Sequence, residues 1–89
     1  MKELKEKWAL VTGASRGIGK EIATALSTLG CNLILHSRTV EHTKTLAESL
    51  SRNGVHTVSL AANLSEPVQV TNLLLEMENA VPRIDILYN

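Results

Sequence analysis

Apolar residues fall along this chain in two alternating rhythms. Trp8-Ala9-Leu10-Val11-Thr12 is a continuous run of strand length closed by Gly13, the pattern of a strand buried on both faces of a parallel sheet. From Gly17 the period lengthens. Ile18, Ile22, Ala25, Leu26 and Leu29 recur at helical spacing, which predicts a helix with those side chains inward. Gly30 stands where a left-handed C-terminal cap belongs. Leu33-Ile34-Leu35 predicts the second strand. Thr39 is the expected cap of a helix running to about Asn53, with Val40, Thr43, Leu46, Ala47 and Leu50 inward and Asn53-Gly54 as its stop. Val55 to Ala61 predicts the third strand. Ser65 is the expected cap of the next helix, which carries Pro67 in its first turn and Val70, Leu73, Leu74, Met77 and Val81 on one face. Pro82 stops it, and Ile84 to Tyr88 predicts a fourth strand on which the sequence ends.

The order is therefore β-α-β-α-β-α-β with short connections. It calls for an α/β architecture: a parallel sheet, helices on its faces, and right-handed crossovers. Residues 1–6 are mostly charged and read as a frayed lead-in. No solenoid repeat, low-complexity tract or linker interrupts the rest, so residues 1–89 read as a single unit. Composition narrows the picture a little. Nine basic and nine acidic residues leave no net charge, which argues against a broad nucleic-acid or membrane-binding surface. Cys31 is the one cysteine, so an internal disulfide is excluded and a reducing compartment fits. No run approaches a signal-peptide core or a membrane span, and the expected location is the cytoplasm.

The first strand-to-helix turn carries the candidate chemistry. In such folds free helix N–H groups and the positive end of the helix dipole converge there, which suits a pyrophosphate. The segment reads Thr12-Gly13-Ala14-Ser15-Arg16-Gly17-Ile18-Gly19. Gly13 is expected to permit a tight turn, Gly17 to let backbone approach a ligand, and Gly19 to let helix pack close to strand. Ser15 reads as a phosphate-loop hydroxyl. The spacing is G-x-x-x-G-x-G, which departs from the G-x-G-x-x-G form. Three glycines could make a merely flexible loop, but strand, glycines and amphipathic helix follow in the order a phosphate cradle needs.

This segment resembles the glycine motif T-G-x-x-x-G-x-G of the short-chain dehydrogenase/reductase family. Two further pieces are similar to it. Ala62-Asn63-Leu64 stands where the family has an Asp followed by Val or Leu, and Ile84-Asp85-Ile86-Leu87-Tyr88-Asn89 resembles the strand leading into N-N-A-G. The resemblance runs from Lys7 onward. It implies a three-layer Rossmann-type sheet of strand order 3-2-1-4, an incomplete doubly wound fold that stops at the fourth strand. It places cofactor contacts at Gly13, Ser15, Arg16, Gly17, Ile18, Gly19, Ser37, Arg38, Asn63, Leu64 and Asn89. Asn63 departs from the family's Asp, although its amide oxygen can still accept a hydrogen bond from the adenine amino group.

A Rossmann unit selects its dinucleotide at the end of the second strand, where an acid favours NAD and an arginine accommodates the 2′-phosphate of NADP. Here that strand ends His36-Ser37-Arg38, with no acid before Glu41. Ser37 occupies the place of the NAD-selecting acid. Arg16 supplies a second guanidinium from the loop, and guanidinium matches phosphate in a planar, bidentate fashion. NADP is expected over NAD.

Other residues look chemical without the surroundings chemistry needs. No lysine follows Tyr88, so it is not the family's Y-x-x-x-K tyrosine, and a strand position explains it. His36, His42 and His56 lack metal-ligand spacing and read as surface or strand residues. Cys31 begins a buried strand and reads as a small core residue. By the resemblance, the family's Ser, Tyr and Lys lie beyond Asn89, as do the helices through which its members form oligomers, so no catalytic residue is expected here. The leading expectation is the N-terminal NADP-binding part of an oxidoreductase, alike at this end to 3-oxoacyl-carrier-protein reductases and to sugar or alcohol dehydrogenases. The alternatives are a non-catalytic dinucleotide-binding module and a remnant without function. Apolar residues of the fourth strand and last helix would lack cover, so the free chain is not expected to be a well-behaved monomer.

Overall fold

The computed structural model describes residues 3–89. In chain order its elements are β1 (Trp8–Val11), α1 (Gly17–Thr28), β2 (Asn32–Ser37), α2 (Glu41–Ser51), β3 (Thr57–Ala61), α3 (Pro67–Ala80) and β4 (Ile86–Tyr88). The strands form one sheet of order β3-β2-β1-β4, and every pairing is parallel. This is the expected 3-2-1-4 order. The chain steps one way along the sheet from β1 to β3, then crosses back to place β4 on the far side of β1.

β1 and β2 are buried along their whole length, as their unbroken apolar runs require. Alternate residues supply two cores. Ala9, Val11, Leu33 and Leu35 face α1 and α2, where they meet Ala23, Leu46 and Leu50. Trp8, Leu10, Ile34 and Leu60 face α3, where they meet Leu73, Met77 and Val81. The sheet thus has two helices on one face and one on the other.

α1 turns a different face inward from the one its large apolar residues suggest. Its buried positions are Gly19, Ala23 and Ser27, whereas Ile18 is 70% exposed and Ala25 and Leu29 also face out. Small residues let the helix lie against the backbone of β1, and Ile22 and Leu26 flank that line half-buried. In α2 the buried residues are Thr43, Leu46 and Leu50, while Val40 is exposed. In α3 Leu73 and Met77 are buried and Leu74 is exposed.

The expected caps also differ. Val40 and Glu66 occupy the cap positions of α2 and α3, and neither helix has a side-chain cap bond. Thr39 instead accepts a bond from the Ser37 hydroxyl on its carbonyl. Ser65 donates both its amide and its hydroxyl to Asn63 Oδ1, an Asx turn in place of a helix cap. Gly30 closes α1 as expected, at φ 87°.

The lead-in is tied down where it is described. The Leu4 N–H donates to Leu29 O at 2.9 Å, and the Leu4 side chain packs against the first core; Met1 and Lys2 lie outside the described residues. The same rim of the sheet fastens β4 to β1. Asp85 N–H donates to Trp8 O, and Trp8 N–H donates to Asp85 Oδ2, each at 2.8 Å. Arg83 bridges Asp85 Oδ1 and Glu6 O, both at 3.0 Å. The Trp8 amide, with Arg83 behind it, holds the Asp85 carboxyl below its ordinary value of 3.8. A lowered native pKa means that this contribution to stability is complete above the ordinary carboxylate value and fades as pH falls through the native one. Acid titration followed at the Trp8 amide by NMR should therefore show a midpoint below the ordinary aspartate value. A midpoint at or above that value would count against the clasp.

Candidate functional site

The carboxyl ends of β1, β2 and β3 open into one cleft of about 890 Å³. It lies at the carboxyl ends of the strands, beside the point between β1 and β4 where the strand order reverses, the region in which open α/β sheets bind ligands. Seven of the expected site residues line it: Gly13 and Ser15 with Arg16 from the β1–α1 loop, Ser37 and Arg38 from the end of β2, and Asn63 with Leu64 after β3. Gly17, Ile18, Gly19 and Asn89 are not among its lining residues.

The glycine loop is built as its spacing requires. Gly13 and Gly17 take φ 61° and 64°, a left-handed conformation that costs glycine little and other residues much. Gly19 serves a different purpose. A Cβ there would sit 2.4 Å from Gly13 O and 3.3 Å from Ala14 Cα, so the bare α-carbon sets how closely α1 approaches the loop that leaves β1, rather than the strand itself. Arg16 occupies the N-cap position in extended conformation, with no side-chain cap and no acid in the first turn. The leading N–H groups of α1 thus keep their anion-binding capacity.

Arg16 and Arg38 are exposed at the mouth of the cleft. Among the described residues no carboxylate lines the cleft or pairs with either arginine. Ser37 is buried, its hydroxyl turned to the Thr39 carbonyl. Asn63 lies at the far end, where its Oδ1 accepts both bonds from Ser65 and its N–H donates to Gln69 Oε1 at 2.7 Å. That oxygen has no lone pair left for an adenine amino group unless Ser65 lets go. Leu64 is 45% exposed beside it, an apolar surface open to a flat ring. Asn89 Oδ1 accepts a bond from the Thr12 hydroxyl at 2.8 Å, just outside the cleft. Ile18 projects into solvent one residue past Gly17.

The structure adds two histidines to the site. His36 is buried at the end of β2 with its ring between the glycine loop and the β3–α3 loop, and His42 lines the cleft from the start of α2. A histidine closing an apolar strand needs polar partners to be buried, which is the one hint the sequence offers. The partners come from distant loops, so spacing could not name them. Tyr88 and Cys31 stand outside the cleft. The Tyr88 carbonyl accepts the Thr12 N–H at 3.0 Å, and burial pushes the Cys31 thiol up, with the Asp85 charge adding to the effect. An elevated thiol is a poor nucleophile.

Comparison with known proteins agrees with this geometry. The family model described as short chain dehydrogenase matches residues 7–89. The chain is 35% identical over 88 residues to a 3-oxoacyl-acyl-carrier-protein reductase of Aquifex aeolicus, covering 98% of this chain and 36% of the relative. It is 37% identical over 84 residues to a glycine betaine reductase of Emericella nidulans, covering 94% of this chain and 7% of that protein. The chain therefore spans little more than a third of one relative and a small part of the other. Among solved structures, a metagenomic short-chain oxidoreductase in complex with NADP superposes with a TM-score of 0.88 at 34% identity, over 96% of this chain and 38% of that one. L-sorbose reductase from Gluconobacter frateurii, complexed with NADPH and L-sorbose, gives 0.88 at 29% identity, over 98% and 34%. None of the described helices is long and apolar enough to cross a membrane. With the parallel 3-2-1-4 sheet, the glycine loop and a family match that runs from Lys7 to the final residue, the chain belongs to the short-chain dehydrogenase family.

Proposed function

We propose that the cleft binds NADP(H), with the pyrophosphate over the N-terminus of α1 and the adenosine 2′-phosphate between Arg16 and Arg38. The observation that carries this reading is the pair of exposed guanidinium groups at a cleft mouth that, among the described residues, no carboxylate lines. Two relatives of the same fold were solved with NADP or NADPH, which supports the choice. Gly13, Ser15, Gly17 and Gly19 shape the phosphate end. Ile18 follows as an exposed residue of the first helical turn, and Ser37 sets the backbone from which Arg38 projects. Leu64 offers apolar cover for the adenine, Asn63 stands beside it, and Asn89 steadies the Thr12 side of the loop.

Hydride transfer to a carbonyl carbon, or from an alcohol carbon, is the chemistry a bound nicotinamide would supply. This chain's residues bind and orient the dinucleotide. Oxidoreduction is proposed for a protein of the relatives' length, with the oligomeric state their family favours.

Titration of the chain with NADPH and NADH tests the reading. A charge-assisted pair contributes about 1.5–3 kcal/mol, so NADPH should bind roughly ten- to hundredfold more tightly than NADH. Equal affinities, or a preference for NADH, would overturn it.

A further inference from the structure

His36 at the end of β2 has both ring nitrogens engaged. The Gly13 N–H donates to Nδ1 at 3.2 Å, and Nε2 lies 2.9 Å from Ala62 O. An amide N–H can only donate and a carbonyl can only accept. The two contacts together admit one state, a neutral imidazole bare at Nδ1 and protonated at Nε2. The backbone of the same residue is also used, because Ala14 N–H donates to His36 O at 2.9 Å. One residue thus holds two consecutive amides of the glycine loop. Its ring ties that loop to the end of β3, immediately before Asn63 and Leu64.

We infer that His36 is a positioning residue for this cleft, an imidazole whose two ring nitrogens lock the phosphate loop to the adenine loop. The inference rests on the reading of the cleft as a dinucleotide site. Without the ring, the Gly13 N–H and the Ala62 carbonyl would each lose a partner, and nothing else described would tie the two loops to each other at this point.

The test measures the affinity of the full chain for NADPH and for NADH at neutral pH. His36→Leu removes both ring contacts and should weaken both ligands about tenfold, the cost of polar groups left without partners. His36→Asn, whose amide oxygen can stand where Nδ1 stood, keeps an acceptor for the Gly13 N–H but loses the tie to Ala62, and it should recover part of that loss. Unchanged binding of both dinucleotides by His36→Leu would overturn the inference.

If neither dinucleotide binds, the reading of the cleft fails, and ring ¹⁵N shifts still decide the role of His36. A bare Nδ1 with a protonated Nε2 supports it. An Nδ1–H tautomer overturns it.

Discussion

Gly19→Ala is expected to be destabilising by about 3 kcal/mol or more, towards the upper end for overpacking, because its methyl would overlap the Gly13 carbonyl. The predicted overlap is with backbone, 2.4 Å from Gly13 O, so no side chain can swing aside to relieve it. Helix propensity alone argues the other way, since alanine in a helix interior is favoured over glycine by up to about 1 kcal/mol. The sign of the result therefore decides which effect wins. In a chain of this size a loss of about 3 kcal/mol lowers the melting temperature by more than about 10 °C. Binding should suffer as well, because the carbonyl that must move belongs to the residue that turns the phosphate loop. Thermal unfolding and dinucleotide titration on the same variant check both halves. An unchanged or raised melting temperature would show that α1 does not depend on this close approach.

The second large effect concerns selectivity. Arg38→Asp should weaken NADPH binding by about a hundredfold or more, because a charge-assisted pair of about 1.5–3 kcal/mol is lost and a carboxylate then faces the phosphate. NADH should bind as well as before or better, since an acid at the end of β2 can accept a bond from the ribose 2′-OH. Arg38 is exposed, without a carboxylate partner among the described residues, so the melting temperature should hardly move. Fluorescence titration with the two dinucleotides reads the difference. Equal losses for both would mean that Arg38 does not meet the 2′-phosphate.

The sheet was legible in the sequence because burial on both faces leaves a mark that periodicity can read. Runs such as Trp8–Val11 and Leu33–Leu35 have no solvent face, as strands between two helical layers require. The glycine loop was legible for a related reason, since backbone geometry and close approach each demand the absence of a side chain at fixed places. The inward face of α1 was not. Sorting by size selects Ile18 and Leu29 as core, yet the helix packs through Gly19, Ala23 and Ser27 because nearness to β1 and the loop that leaves it counts for more than apolar area. The Ser65 cap was missed because a competing local bond takes its hydroxyl, which donates to Asn63 Oδ1. The part played by His36 depends on Gly13 and Ala62, residues 23 and 26 positions away, and no local pattern encodes such a pairing.

The two ends of the strands carry different duties. Asp85, Arg83 and Trp8 fasten one rim of the sheet, whereas Gly13, Arg38 and Leu64 border the cleft at the other. At about 3.3 Å per residue, β1 alone separates the rims by roughly 13 Å, beyond the 7–10 Å or so within which substitutions usually couple. Changes at the fastened rim should then add to changes at the cleft rather than distort them. Such a domain can trade robustness and cofactor preference independently, and a lineage can adjust its heat tolerance by one set of substitutions while another set alters which dinucleotide it accepts.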